Sequence, residues 1–193
     1  MDDKRKVLLF TTGALYMDEF KILFAGPTGA GKTTAINTVS DVSVVSTEVP
    51  RSSLDTESEK SQLIPKNTVT IGIDYGEFSF DDNTRVRLYG VPGQLRFEFL
   101  WELIHKGASG TIILFDITSN AFADEIDFFI NRFHKVLLTD KCIIGISKYS
   151  DEYSPRVTEL LDLMGKYKVD VPVIAVDIRN KEDVLKLLTM LVK

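Results

Sequence analysis

One stretch limits what this chain can fold into more than any other: Gly26-Pro27-Thr28-Gly29-Ala30-Gly31-Lys32-Thr33. An apolar run, residues 22–25, precedes it, and helix-favouring residues that begin with Thr34 follow it. Glycines let a backbone curl so that successive N–H groups point inward at a phosphate. Because G-x-x-x-x-G-K-T between a strand and a helix is the context that the motif requires, the sequence predicts a phosphate-binding P-loop.

The end of this loop carries the predicted chemistry. The helix N-terminus adds unpaired N–H donors and a partial positive charge. We expect Lys32 to reach the β- and γ-phosphates of a nucleotide and the Thr33 hydroxyl to hold Mg²⁺. Residues 26–34 are therefore the predicted phosphate-binding set. The alternative is a glycine-rich turn that binds nothing.

Length and composition are those of a compact globular domain. With 193 residues, 44% of them hydrophobic, the chain can bury a sizeable core. Its net charge of −5 argues against general binding to nucleic acid or anionic membranes. Cys142 lies in an apolar run, so we expect it in the core without a disulfide partner. We expect no transmembrane segment and, from the two ends of the chain, no lipid anchor.

The first residues are harder to interpret. Basic residues 4–6 followed by the apolar run 7–10 resemble the start of a signal peptide, but residues 11–13 interrupt the run and no clear cleavage site follows. We therefore expect residues 1–19 to form an N-terminal extension, with an extra strand or an ordered leader at 7–10. The nucleotide-binding domain is predicted to span residues 20–193, in a cytoplasmic protein.

Apolar runs and helical stripes alternate along the rest of the chain. A strand at 20–26 and a helix at 32–40 are followed by a long polar segment, about 46–67, which loop statistics mark as functional or mobile. Two strands from residue 70 to residue 88 form an antiparallel hairpin that turns at Asp81-Asp82-Asn83. Three strands follow, at 111–115, 142–146 and 171–176, and an amphipathic helix comes after each of them. This alternation predicts an α/β fold with a mostly parallel sheet.

A second chemical stretch ends the hairpin: Leu88-Tyr89-Gly90-Val91-Pro92-Gly93-Gln94. Strands of an open α/β sheet deliver such segments to the edge where phosphates bind. A glycine there can present its N–H to a γ-phosphate, and the glutamine beside it can orient an attacking water.

The order of these motifs resembles the Ras superfamily of small GTPases over residues 20–193. Residues 70–75 match the switch I segment of the Rab and Arf groups, and residues 92–97 match switch II. Two features of this segment, the proline before Gly93-Gln94 and the loss of the usual aspartate two residues earlier, most resemble the bacterial MglA-type and related prokaryotic Ras-like GTPases.

This resemblance implies a P-loop NTPase fold with three α/β/α layers. The expected sheet has six mostly parallel strands in the order 2-3-1-4-5-6, with one antiparallel edge strand. It also implies that Thr33 and Thr70 hold Mg²⁺, that Gly93 contacts the γ-phosphate, and that Gln94 and Lys32 are catalytic.

The sequence departs from the family pattern in three places. Gly90 stands where the family has an aspartate that supports Mg²⁺ through water. The guanine-reading motif is Ser147-Lys148-Tyr149-Ser150, with Asp151 one step late. The third base-contacting segment begins with Asp177, which is expected either to contact the base edge or Lys148, or to serve as an N-cap or exposed loop charge.

Some side chains keep two interpretations. Arg51 is either a cis arginine finger, and so a third catalytic candidate, or a solvated loop residue. Trp101 and His105 form either a partner-binding face or part of a helix packed on the sheet.

The predicted function is a GTP-binding molecular switch that uses Mg²⁺, hydrolyses GTP slowly, and signals through residues 46–70 and 91–100. Regulatory proteins that activate hydrolysis or exchange, and an effector at the switch regions, are the expected partners. The alternatives are a nucleotide-binding scaffold without turnover, and a P-loop NTPase or kinase that is not selective for guanine.

Overall fold

The computed structural model describes residues 18–47, 72–93, 101, 104–138 and 141–192. The strands in these residues are β1 (Asp18–Ala25), β2 (Val45–Thr47), β3 (Ile73–Asp81), β4 (Thr84–Gly90), β5 (Gly110–Asp116), β6 (Cys142–Ser147) and β7 (Val173–Val176). The α-helices are α1 (Lys32–Val39), α2 (Phe122–Leu137), α3 (Ser154–Lys166) and α4 (Lys181–Val192), and a short 3-10 helix spans Asp151–Tyr153. The seven strands form one sheet in the order β2-β3-β4-β1-β5-β6-β7.

Side chains alternate between the two faces of the sheet, and each face has its own hydrophobic core. In β1, Ile22 and Phe24 enter the core that α1 and α4 cover, whereas Leu23 and Ala25 enter the core that α2 and α3 cover. This two-residue period is the expected one for a strand buried on both sides. The predicted three-layer α/β/α architecture is confirmed.

The hairpin of β3 and β4 joins the parallel part of the sheet through β4, which pairs in parallel with β1. A register shift between Ser79 and Asp81 brings Asp74 opposite Gly90. Beyond β4, the Val91 N–H donates to the Phe24 carbonyl at 2.8 Å, so the chain stays on the sheet as it leaves the strand.

The predicted strand order is found, with one addition. The six predicted strands correspond to β1 and β3–β7 in the expected order, but β2 raises the number in the described residues to seven. Because β2 pairs antiparallel with β3, the antiparallel strand β3 is second from the edge and not at the edge. Three residues at the start of a polar segment offer too little alternation for the sequence to predict this strand.

The start of the domain also differs slightly. Strand β1 begins at Asp18, two residues before the predicted strand, and Asp18 pairs with Thr84. The predicted extra strand at 7–10 lies outside the described residues. Among the helices that the structure describes, none combines the length and the apolar character needed to cross a membrane.

Helix α3 buries a narrower stripe than predicted. The apolar residues at helical spacing in the sequence of this helix are Val157, Leu160, Leu161 and Met164, a pattern that predicts all four in the core. Leu160 is 0% exposed, but Leu161 is 50% exposed. Successive residues of a helix point about 100° apart, and in α3 this turn takes Leu161 from the core side to the solvent side.

These neighbouring leucines give a matched test of the packing. We expect Leu160→Ala to lower the free energy of unfolding by about 2–5 kcal/mol, because it removes buried methyl groups and leaves a cavity. Leu161→Ala should change it by less than about 1 kcal/mol, since half of that side chain is already in water. Urea unfolding followed by circular dichroism measures both, and equal losses would contradict the orientation of α3.

Candidate functional site

The loop between β1 and α1 has the backbone shape that its glycines predict. Gly26, Gly29 and Gly31 have φ angles of 131°, 86° and 98°, in the left-handed region. A Cβ atom on Gly26 would lie 2.1 Å from the carbonyl oxygen of Leu114 in β5. Both the dihedral angle and the lack of space therefore require glycine at this position.

Lys32, the first residue of α1, folds back over this loop. Its ammonium group donates hydrogen bonds to the carbonyl oxygens of Gly26 at 2.8 Å and Pro27 at 2.7 Å. Burial lowers the pKa of Lys32 to about 8, although the nearby Asp74 carboxylate opposes this shift. A cation held at the mouth of the loop with so little solvation can interact strongly with an incoming phosphate.

Thr33 is bonded to a carboxylate that lies on β3. Its hydroxyl donates to Oδ2 of Asp74, and the Ser46 hydroxyl on β2 donates to Oδ1 at 2.6 Å. Asp74 is only 8% exposed. The two hydroxyl donors thus fix both oxygens of a buried carboxylate beside the phosphate loop.

A pocket of about 360 Å³ lies over the loop. Its walls come from three segments: the loop with the start of α1, the start of β3, and the end of β4. The lining residues are Thr28, Gly29, Gly31, Lys32, Thr33, Thr34, Gly72, Asp74, Gly90, Val91, Pro92 and Gly93. The pocket therefore joins the two stretches that the sequence singled out, at the end of β4 where ligands bind in open α/β sheets.

Gly93 packs directly on the phosphate loop. A Cβ atom there would lie 2.3 Å from the Gly26 carbonyl oxygen and 2.8 Å from the Thr28 nitrogen. The segment that follows β4 thus approaches the loop backbone to backbone, and the contact of Gly93 with a γ-phosphate stays a prediction.

Trp101, the only tryptophan of the chain, holds the same segment from the other side. Its indole N–H donates to the Pro92 carbonyl oxygen at 2.7 Å. The ring packs against Phe129 and Phe133 of α2, with centroid distances of 5.7 and 4.7 Å. At 5% exposure, Trp101 belongs to the core, which decides between its two predicted roles in favour of packing. His105 is half-buried.

The predicted base-reading residues begin at the end of β6. The buried Ser147 hydroxyl lies 3.4 Å from the Ala30 carbonyl oxygen and 3.2 Å from that of Phe115, and donates toward both. Lys148 has a left-handed backbone, with φ 57°, and its ammonium group pairs with Asp116. Burial alone would raise the pKa of Asp116, but hydrogen bonds from Lys148 and Thr118 hold it below its ordinary value.

The two candidate carboxylates for the base differ in their surroundings. Asp177 accepts from the backbone N–H and the guanidinium of Arg179, at 3.0 Å, within one exposed turn. The hydrogen bonds from Arg179 lower the pKa of Asp177. Asp151 begins the short 3-10 helix and is exposed. The carboxylate that Lys148 contacts is that of Asp116, and Asp177 is held by Arg179.

Three predicted site residues, Arg51, Thr70 and Gln94, lie outside the described residues, and their roles stay predictions. Two carboxylates were missed, Asp74 and Asp116. Asp116 ends β5 next to β6, so its strand-end position was a usable signal. Asp74 had a weaker signal, because its contact with Thr33 depends on the register of the hairpin.

Comparisons with known proteins show which proteins this chain is similar to. The chain is 30% identical to the mutual gliding-motility protein MglA of Myxococcus xanthus over 50% of this chain and 47% of that protein. It is 24% identical to the Ras-related protein Rab-11C of Dictyostelium discoideum over 68% of this chain and 52% of that protein. The chain therefore spans about half the length of the curated relatives it matches.

A solved structure shares the fold. The bacterial selenocysteine-specific elongation factor EF-Sec superposes with a TM-score of 0.64 and 22% identity, over 91% of this chain and 29% of that one. The predicted resemblance to Ras-superfamily small GTPases is confirmed by these relatives.

The fold and the loop define a P-loop nucleotide-binding protein with a Ras-like α/β architecture. Within that class, the profile of one family matches residues 24–144, more than half of the chain. The chain belongs to this family, which is described as conserved hypothetical ATP binding protein.

The close approach of Gly93 to the loop gives a direct test of the site. We expect Gly93→Ala to weaken binding of a nucleoside triphosphate at least tenfold, or about 1.4 kcal/mol. The added methyl group must push the two backbone segments apart. Titration with a fluorescent triphosphate analogue measures this. Gly165→Ala in α3 is the control, since a Cβ there meets nothing within 4 Å. Equal affinities would contradict the placement of Gly93.

Proposed function

We propose that this protein is a GTP-binding molecular switch that binds GTP and GDP with Mg²⁺ and hydrolyses GTP slowly. The observation that carries the proposal is the contact of Gly93 with the phosphate loop, in a pocket that Lys32 and Thr33 also line. This arrangement lets a terminal phosphate touch the loop and the following segment at once, so loss of that phosphate changes what the segment contacts.

Each part of the loop has a task in phosphate binding. Its backbone N–H groups and the N-terminus of α1 donate to phosphate oxygens, with Thr34 at the helix start. Lys32 exchanges its two carbonyl acceptors for phosphate oxygens, which carry full charge and are stronger partners. Binding an anion favours the charged form of Lys32, so the lowered pKa of this residue rises in the complex.

The donors in the pocket suit Mg²⁺. The Thr33 hydroxyl is a hard oxygen ligand, of the kind that Mg²⁺ binds together with phosphates and water, and it is bonded to the Asp74 carboxylate. Thr70 is the further ligand that the sequence predicts. When bound, the ion neutralises charge on the β- and γ-phosphates.

Hydrolysis requires a positioned water. Gln94 follows directly on Gly93, so its amide is expected near the terminal phosphate, where it can both donate to and accept from a water. Arg51 is proposed to stabilise the transferring charge only if it acts as a cis finger. Without such an arginine, Ras-like proteins hydrolyse on the order of 10⁻⁴ s⁻¹.

The base is the least constrained part of the proposal. Ser147 supports the loop through Ala30, and Lys148 is proposed to contact the base. Asp151 is the carboxylate proposed to accept from guanine, with Asp177 as the second candidate. The family description supports the alternative of an adenine nucleotide, and a scaffold without turnover is the further alternative.

The switch segments set the proposed partners. Residues 46–70 and 91–100 are proposed to reorder between nucleotide states and to bind an effector and regulatory proteins, in the cytoplasm. The bond from Trp101 to the Pro92 carbonyl links the second segment to the core beside α2, so a change at Gly93 reaches the aromatic cluster there.

Base preference can be measured by competition. If Asp151 or Asp177 reads guanine, GDP should displace a fluorescent diphosphate analogue at least tenfold better than ADP. Lys32→Ala should bind neither nucleotide, because it removes the cation beside the phosphates. Equal competition by GDP and ADP would contradict guanine selectivity, and unchanged affinity in Lys32→Ala would contradict the P-loop role.

Turnover can be tested on three proteins. Single-turnover phosphate release from GTP should be slow in the wild type and slower still in Gln94→Leu, since leucine cannot position water. Arg51→Ala should lower the rate only if Arg51 is a cis finger. A Gln94→Leu variant as fast as the wild type would contradict the role of Gln94. Absence of release under all conditions would favour the scaffold.

A further inference from the structure

The carboxylate of Asp74 has a geometry that the proposed nucleotide site explains. It is 8% exposed and lines the pocket over the phosphate loop. A buried carboxylate requires compensation by hydrogen bonds or a cation. Two hydroxyl groups, those of Thr33 and Ser46, donate to it.

The bond from Thr33 leaves that hydroxyl ready to bind a metal. A hydroxyl group has one hydrogen and two lone pairs. Because Thr33 gives its hydrogen to Asp74, its lone pairs are left for a further partner in the pocket. Asp74 thus orients the side chain that the sequence predicts as a Mg²⁺ ligand.

Gly90 provides the space that Asp74 occupies. The two residues pair across β3 and β4. A Cβ atom on Gly90 would lie 3.0 Å from both Oδ2 and Cβ of Asp74, and 3.1 Å from Cδ1 of Ile36. A side chain at position 90 and the observed Asp74 carboxylate therefore compete for the same volume.

We propose that Asp74 is the metal-site carboxylate of this protein, supplied from β3, and that Gly90 is the glycine which makes room for it. The carboxylate that the family has at position 90 on β4 is then supplied in this protein by the paired strand β3. The carboxylate orients Thr33 and would offset the charge of a divalent cation that Thr33 holds. This inference rests on the proposed nucleotide function.

The test measures metal affinity apart from turnover. The protein is loaded in EDTA with GDP or ADP, whichever competes better, and Mn²⁺ is titrated while electron paramagnetic resonance follows the free ion. We expect Asp74→Asn to bind Mn²⁺ about 10–100-fold more weakly, the usual effect of losing a supporting carboxylate. Its nucleotide affinity in EDTA should stay within about twofold of the wild type, since only the metal-dependent part is lost.

Two further variants complete the design. Glu77→Gln is the matched control, because Glu77 lies on β3 an odd number of residues away and faces the opposite side. Gly90→Ala keeps Asp74 but crowds its carboxylate, so it should also weaken Mn²⁺ binding. It carries the test if Asp74→Asn does not fold.

The possible results separate the two proposals. Wild-type Mn²⁺ affinity in folded Asp74→Asn, or in Gly90→Ala, would overturn the assignment of Asp74 while nucleotide binding stands. Failure of the wild type to bind either nucleotide in EDTA or with Mn²⁺ would overturn the proposed function and the assignment with it. Selective loss of Mn²⁺ affinity, with Glu77→Gln unchanged, supports the assignment.

Discussion

The close backbone packing on both sides of the phosphate loop is the constraint on which the site depends. On one side the Gly26 position touches the Leu114 carbonyl of β5, and on the other its own carbonyl touches the Gly93 position after β4. Neither contact leaves room for a Cβ atom. The loop is therefore held between two strands by close backbone contacts. Such a frame can point its N–H groups at a phosphate before the phosphate arrives, which lowers the cost of binding.

The same edge of the sheet gathers the other elements of the site. Ile178, after β7, belongs to the core under α1 and α4, and its Cδ1 atom fills the space beside Gly31. Ser147, at the end of β6, donates toward the Ala30 carbonyl. The loop is thus supported by the last residue of β6 and by the segments that follow β4 and β7. Because Ile178 belongs both to the core and to this support, the hydrophobic core and the phosphate site share residues. Core substitutions near this edge are expected to change ligand binding as well as stability.

The sequence predicts the features that depend on local pattern and misses those that depend on register. The glycine spacing identified the loop, the two-residue and helical periods identified the six main strands, and the family resemblance implied their order. The exposure of Leu161 and the short strand β2 depend on packing that no local pattern records. Asp74 shows the limit most clearly. Asp81 pairs with Thr84 at the turn, and extending that pairing without a bulge would put Tyr75 opposite Gly90. One shifted residue brings Asp74 there, and a one-residue shift reverses the face of every side chain.

A carboxylate placed on β3 has a consequence that one on β4 would not have. Strand β4 lies between β1 and β3 and is fixed in the sheet on both sides. In the part of the chain that the structure describes, β3 is joined on its outer side only to the three residues of β2. Asp74 bonds to Thr33 on α1 and to Ser46 on β2, so it links the phosphate loop to the outer part of the sheet. A cation held by Thr33 and supported by Asp74 would favour the hairpin register that keeps this carboxylate facing α1. By thermodynamic linkage, that register must favour the cation by the same free energy. The bulge between Ser79 and Asp81 then belongs to the binding site as much as to the hairpin, because it selects the residue of β3 that meets the loop.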